Sequence, residues 1–558
     1  MQNERSARGE SLCIQWKALA TLPKDERRAH IGREHLLSRS LCGVYILLFS
    51  LAHILFFRNG FFDINRSKYY LLVYSSFSAA GLCGLLLCLE RLMVPRHTLS
   101  APRKPAAGLL GALLLIGAVI VSVCLCPDPA AAITGSSGRY AGALCIGAMC
   151  ILYAFGLWAN LPAGLIVSAL GFSGSLCALL GVLNFLRVDP LSFYTEALQP
   201  IYHNDFISTI GNINFFSAYM CLMLGLCAGM FVRGKGARSY IWLAAFSLCG
   251  MGMLAARSES GFIGLAAIFL GLGAGKMRSP HEAGRACLLL CAFALSAFLL
   301  SVLVYLRGPD TMELYLGIAS SLLRSPKLTL ITASVFLAVS LLLFRLPESS
   351  MRRLHGLQNA VLLFSCLCFA AVIAATIYFT VFDPAAPLPG VLSYLRLNDT
   401  WGTFRGFIWK KTVSLYGRLP FLHKLFGVGP DMLKPLLIKK CYSEMVQLTG
   451  ILFDNAHNEY LQLLITTGAF GLAGYLLMIA AALRSLWRSM HKNPALLACF
   501  LALCAHLTQA AFNIAQPETT PAVFLLLALG AGSSVRSSAL PGSVRGSAPS
   551  PCSRDNVP

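Results

Sequence analysis

The chain has 558 residues, of which 56% are hydrophobic and only 12% charged, and its formal net charge is +21. A soluble globular chain carries about 25% charged residues, so the composition excludes a soluble protein and points to an integral membrane protein. The positive charge does not mark a nucleic-acid binder. The basic residues fall mainly in short gaps between apolar runs, where they face cytoplasmic loops and anionic lipid headgroups.

Residues 1–40 form a polar, basic tail in which a short helix is expected near Pro23 and Asp25; no small-residue cleavage site follows to make it a signal peptide. A spanning helix needs about 20 mainly apolar residues. Runs of that kind are predicted at 41–57, 69–89, 106–126, 141–158, 161–186, 213–233, 240–256, 260–275, 286–305, 328–344 and 360–382. After a long polar interval at 383–458 come 459–483, 494–513 and 517–533, which makes fourteen. The fold class is therefore an all-α polytopic membrane protein with about 12–14 transmembrane helices and one large loop. The stretch 534–558 is rich in Ser, Pro, Gly and Arg without periodicity and is expected to be a disordered tail.

Orientation follows from Lys and Arg in the short loops. With the N-terminus inside, the inner segments collect the basic tail from Arg5 to Arg39, Arg91 to Lys104, Arg233 to Arg238, Lys276 to Arg285, Arg345 to Arg353 and Arg484 to Lys492. Both termini are then cytoplasmic, and the 383–458 loop faces the extracytoplasmic side. Most of the 20 cysteines sit inside apolar runs, where free Cys behaves as a small hydrophobe, so no disulfide framework is implied.

Polar candidates gather on the predicted outer side. The loop 187–212 ends in Gly211-Asn212-Ile213-Asn214, where Asn212 or Asn214 either caps the following helix or contacts a substrate. Arg257 lies in a tight turn between the seventh and eighth spans. An arginine near lipid is costly, so it either snorkels to lipid phosphate or serves a ligand phosphate. In the large loop, Arg405 and Trp409 stand one helical turn apart beside Phe404, Phe407 and Ile408. Arg offers a planar fork suited to phosphate oxygens; an interfacial helix resting on the membrane is the alternative. The segment Leu425-Phe426-Gly427-Val428-Gly429-Pro430 is expected to set loop geometry, since its Gly-x-Gly lacks the context of a nucleotide site.

His457, within Asp454-Asn455-Ala456-His457-Asn458-Glu459-Tyr460, is the best candidate for chemistry. With Asn455 as N-cap, His457 would fall in the first turn of the twelfth span, where the helix dipole disfavours imidazolium. A neutral imidazole there could act as a base near pH 7.

Arg257 in its tight turn, Arg405 with Trp409, the PFLHKLFGVGPD segment and DNAHNEYLQLLITTGAFGLAGY together resemble the O-antigen ligase family of bacterial membrane glycosyltransferases. The stretches GSSGRYAGAL (135–144) and GNINFFSAY (211–219) resemble parts of that family too. A departure is the run Ser258-Glu259-Ser260 after the tight-turn arginine, where small or basic residues are usual. The resemblance implies a multi-span C-type glycosyltransferase architecture in the cytoplasmic (inner) membrane of a bacterium. It implies transfer of a glycan from an undecaprenyl diphosphate carrier to an acceptor hydroxyl on a glycan, lipid or protein, outside the cytoplasm. His457 would deprotonate the acceptor, Arg257 and Arg405 would hold the diphosphate, and Asn212, Asn214, Asn458 and Glu459 would line the substrate site. No cofactor is implied, and no Asp-x-Asp stands on an outer loop to hold a divalent ion. Membrane lipids are the expected surroundings and nucleic acid is not an expected partner. Attack opposite the diphosphate would invert the anomeric centre. Ligases and polymerases of the family share this skeleton. A lipid-linked glycan flippase would instead carry charges at mid-membrane, and a purely structural scaffold would leave the clustered His and Arg residues unexplained.

Overall fold

The computed structural model describes residues 34–93, 107–135, 138–194, 205–308 and 317–537, together with Leu19, Arg27, His30 and Ile31. The expected tail helix near Pro23 and the tail beyond Ser537 lie outside the described residues.

Each predicted apolar run is a helix. They begin with α1 (Leu36–Ala52), α2 (Ile64–Leu92), α3 (Ala107–Leu125), a short α4 (Pro129–Thr134), α5 (Ala143–Ala159) and α6 (Ala163–Phe185). Next come α7 (Ile213–Arg233), α8 (Ser239–Ala256), α9 (Ser260–Ala274), α10 (Pro280–Arg307), a short α11 (Ile318–Leu323), α12 (Pro326–Arg345) and α13 (Met351–Ile377). The large loop contributes α14 (Trp401–Gly417), α15 (Phe421–Phe426) and α16 (Leu433–Thr449); α17 (Glu459–Ser489), α18 (Pro494–Gln509) and α19 (Thr520–Ser537) close the chain. Among the described residues ten helices are long and apolar enough to cross a membrane, and four shorter apolar ones accompany them. The chain is a multi-pass membrane protein. Among the described residues the only strands are β1 (Phe206–Ile207) and β2 (Gly211–Asn212), an antiparallel pair before α7.

Several ends differ from the hydropathy reading because a polar turn continues the helix when the protein itself satisfies it. α1 starts at Leu36 rather than at 41. The buried Glu90 carboxylate of α2 accepts from Leu37 N at 2.6 Å, Ser38 N at 3.0 Å and Ser38 Oγ at 2.8 Å, supplying partners for first-turn amides that a helix leaves open. α13 likewise starts before 360, and α19 runs past Ser533 to Ser537.

α7 is the central helix, with 94% of its apolar window buried. It packs against α8 and α18. A Cβ at Gly229 would lie 2.3 Å from the Ala498 backbone, so the small residue permits the close helix approach common in membranes. The apolar window of the element Glu348–Phe382, which contains α13, has no buried residue and is left to lipid.

The 383–458 segment is polar in composition yet folds around its own apolar core. Phe407 and Ile408 of α14, Leu433 and Leu437 of α16, and Ala456 pack against Ile465 of α17. The bundle has two distinct ends. At one, Arg233 donates to Met490 O at 2.9 Å and Arg278 to His491 O at 2.9 Å. At the other lie the starts of α7, α9 and α17, the α18–α19 connection and the large loop.

Candidate active site

The site is built on a break in α17. Gly468 has φ 71 and ψ −175, outside helical geometry, and frees carbonyls one turn earlier. Val428 N donates to Ile465 O and Gly429 N to Thr466 O, both at 3.1 Å, and Ser122 Oγ donates to Thr466 O at 2.8 Å. The inserted strand of backbone leaves no room for side chains at the crossing. A Cβ would lie 2.3 Å from the Leu425 carbonyl at Gly468 and 2.2 Å from that of Thr466 at Gly427. The glycine segment thus sets loop geometry, as expected, and clamps the large loop to the first turns of α17.

His457 precedes that helix rather than entering it, which corrects the sequence expectation. The N-cap is Asn458, whose side chain accepts from Leu461 N at 3.0 Å, and His457 itself is left-handed with φ 49. Asn455 accepts from His457 N at 3.0 Å and Gln462 from Ala456 N at 3.1 Å, so two side chains fold the loop that a helical turn was expected to supply. The half-buried imidazole meets Phe453 edge to face at 5.9 Å. Burial pushes its pKa down to about 4, the Arg405 and Arg139 charges push the same way, and Asp454 opposes them. A neutral imidazole results, as the sequence suggested, but from burial and guanidinium charge rather than from a helix dipole.

Arg405 lies on α14 just after a left-handed turn at Gly402, Thr403 and Phe404, with φ of 58, 60 and 66. Burial lowers its pKa. Its Nε and the Trp409 Nε1 are buried with no hydrogen-bond partner among the described residues. Arg139, on the loop before α5, donates from Nε to Asp454 at 2.8 Å and lies over the Phe215 ring at 5.5 Å. His457, Arg405, Arg139 and Asp454 therefore form one electrostatic group. Among the described residues no three His, Cys, Asp or Glu side chains gather as a metal site.

Arg257 is at the same end of the bundle but outside that group. It caps α8 in a left-handed conformation with φ 54 and stands over the Phe185 ring at 5.6 Å. Its charge acts on Asp205, whose carboxyl is raised by burial and lowered by Arg257. The turn is held from behind: Ser258 Oγ donates to Asn214 Oδ1 at 2.8 Å, and Asn513 donates to Asn214 O at 3.2 Å. Asn212 is the N-cap of α7, accepting from Asn214 N at 2.9 Å. Glu259 accepts from Ile318 N at 2.8 Å. Glu459 is buried 3.5 Å from His506 Nε2.

Sequence reasoning assigned no role to Arg139, Asp454 or Glu518. Arg139 had a usable signal, since it is an arginine in a short loop predicted to face outward, the argument applied to Arg257. Glu518 is buried in the α18–α19 connection, within electrostatic reach of Lys68 and Arg139. Nothing local in the sequence marks it.

Residues 312–476 match the family described as O-antigen ligase. The matched stretch, similar to the O-antigen ligase family, includes Arg405, Asp454 and His457. No curated protein matches the chain.

Proposed function

We propose that this protein transfers a glycan from an undecaprenyl diphosphate carrier to an acceptor hydroxyl, without a metal and with inversion, on the extracytoplasmic side of a bacterial cytoplasmic membrane. The observation that carries the reading is a neutral, half-buried imidazole set within the field of two guanidinium groups, one of which has an unpartnered buried Nε. The acceptor oxygen attacks the anomeric carbon, the bond from that carbon to the diphosphate oxygen breaks, and His457 takes the acceptor proton. Arg405 and Arg139 stabilise charge developing on the diphosphate, and Arg257 contributes from across the start of α7. Asn212, Asn214, Asn458 and Glu459 shape the surrounding backbone.

A base of pKa about 4 is weak for an alcohol proton, because general-base catalysis favours a pKa near the working pH. Arrival of an anionic diphosphate offsets the guanidinium field and raises the imidazole's pKa. The base is thus strengthened when donor is present. An apolar groove of about 350 Å³ beside the clamp, lined by Leu113, Gly117, Val121, Phe426 and Phe470 among others, offers a course for the isoprenoid chain. Both termini are assigned to the cytoplasm because Arg233, Arg278 and Arg285 gather at the opposite end of the bundle. The acceptor, whether a glycan, lipid or protein, decides between ligase and polymerase.

The test is transfer from purified undecaprenyl diphosphate glycan to candidate acceptors in proteoliposomes with EDTA, comparing wild type with His457→Ala. Activity that survives EDTA and falls at least 100-fold in the variant is expected. Full activity in a folded variant would remove His457 as the base; lipid movement across the bilayer without transfer would make the protein a flippase.

A further inference from the structure

Arg405 lies on α14 between two residues of an aromatic cluster that the diphosphate chemistry does not use. Trp401 and Trp409 flank it in sequence and meet each other at 5.3 Å between ring centroids. Phe512, from the α18–α19 connection, lies 6.2 Å from Trp401 and 6.0 Å from Trp409. Tyr394 closes the far side, 6.4 Å from Trp401, and its backbone carbonyl accepts from Trp401 Nε1 at 2.9 Å. All three central rings are partly exposed. The left-handed run Gly402-Thr403-Phe404 folds Trp401 back onto Trp409. Left-handed geometry is unfavourable for the L-residues Thr403 and Phe404, so the arrangement is held against a local preference.

Building on the glycosyltransferase reading, we propose that Trp401, Trp409 and Phe512 form the platform on which a pyranose ring of the donor glycan stacks, next to the diphosphate at Arg405. A pyranose has an apolar face of weakly positive C–H groups and a rim of hydroxyls. Aromatic faces carry negative potential and suit the first; a ring-edge N–H suits the second. Trp409 Nε1 is buried without a partner, as is the neighbouring Arg405 Nε, and a buried donor left unpaired is unfavourable. A sugar hydroxyl of a bound saccharide diphosphate satisfies the Trp409 N–H, and a phosphate oxygen satisfies Arg405 Nε. A lipid chain offers no acceptor. An interfacial aromatic belt places its N–H at the headgroup level, whereas this one is closed off from solvent within a ring cluster. Phe512 also ties the platform to the bundle, because the next residue, Asn513, holds Asn214 O at 3.2 Å.

The experiment measures binding to the protein in nanodiscs of two probes: bare undecaprenyl diphosphate, and the same lipid bearing the glycan extracted from the producing cells. Trp401→Leu should weaken the glycan-bearing lipid about tenfold and leave the bare lipid unchanged. Trp409→Phe, which keeps a ring and loses only the N–H, should show a smaller loss confined to the same lipid. Equal loss of both lipids in Trp401→Leu together with wild-type behaviour of Trp409→Phe would overturn the platform, as would unchanged binding of both lipids in both variants. Wild-type protein that transfers glycan but binds the two lipids equally would also overturn it, leaving the catalytic reading intact. Glycan-selective binding without transfer would uphold the platform and remove the catalytic reading.

Discussion

Replacing Arg405 with Gln should raise the pKa of His457. Burial is the first cause of its descent to about 4 and the Arg405 charge the second, and only the second is removed by the substitution. Two unit charges sharing one partly exposed pocket interact by roughly 2 kcal/mol at an effective dielectric near 20. A pKa unit corresponds to about 1.4 kcal/mol. Because both side chains are partly exposed, roughly two-thirds of that is retained, and the imidazole should titrate about one unit higher than in wild type. The imidazole is protonated below its pKa and can accept a proton only above it. The acid limb of kcat/KM in Arg405→Gln should therefore lie at higher pH than in wild type, on a plateau lowered by the lost diphosphate contact. Asp454→Asn should shift the limb the opposite way, since Asp454 is the neighbour that raises the pKa. The direct assay is ring-proton NMR of the protein in nanodiscs across pH 3.5–8, with His457→Ala assigning the resonance. A wild-type value near 6.5, or an Arg405→Gln value equal to or below wild type, would refute the electrostatic grouping.

Two further substitutions probe the frame. Gly468→Ala should lower thermal stability by several degrees in detergent, because its Cβ would sit 2.3 Å from the Leu425 carbonyl, whereas Gly417→Ala, with nothing within 4 Å, should be neutral or slightly stabilising; equal melting of the two would sink the clamp. For the Arg139–Asp454 pair at 2.8 Å, a double-mutant cycle of Arg139→Gln and Asp454→Asn in kcat/KM should give a coupling of about 1 kcal/mol, and independent effects would show that the pair does not act as a unit.

The membrane helices were legible in the sequence because burial in lipid demands long apolar runs whatever the tertiary packing. Their ends were not, because a polar first turn such as Leu37-Ser38 is completed by Glu90, more than 50 residues away. In the site, Arg405 and His457 stood out from local context. His457's position was misread because two asparagines could cap α17, and the choice of Asn458 depends on Gln462 engaging Ala456 N. Arg139 meets Asp454 across 315 residues, a pairing that no local pattern encodes. The polar composition of 383–458 hid a core, since its apolar residues are spread over two helices and the loop residues Phe453 and Ala456, and close against Ile465.

The irregular backbone of this protein is concentrated at one end of the bundle, and that concentration itself argues for where substrate binds. The Gly468 break, the left-handed turns at Arg257, Phe404 and His457, and the buried polar connection through Asn513 and Gln516 all lie there. Non-helical backbone near membrane depth persists only where it is enclosed by protein or lines a polar cavity. Some of the freed groups are answered internally, as Ile465 O is by Val428 N. Others have no partner among the described residues: Arg405 Nε, Trp409 Nε1 and both amide atoms of Gln516. The open donors at Arg405 and Trp409 suit phosphate and hydroxyl oxygens. A scaffold would have no reason to retain them, because replacing buried unpaired polar groups with apolar ones of similar shape is neutral or stabilising. Arg285 Nε is left open at the opposite end too, so what supports the proposed transfer reading is that the open donors Arg405 Nε and Trp409 Nε1 stand with a neutral imidazole.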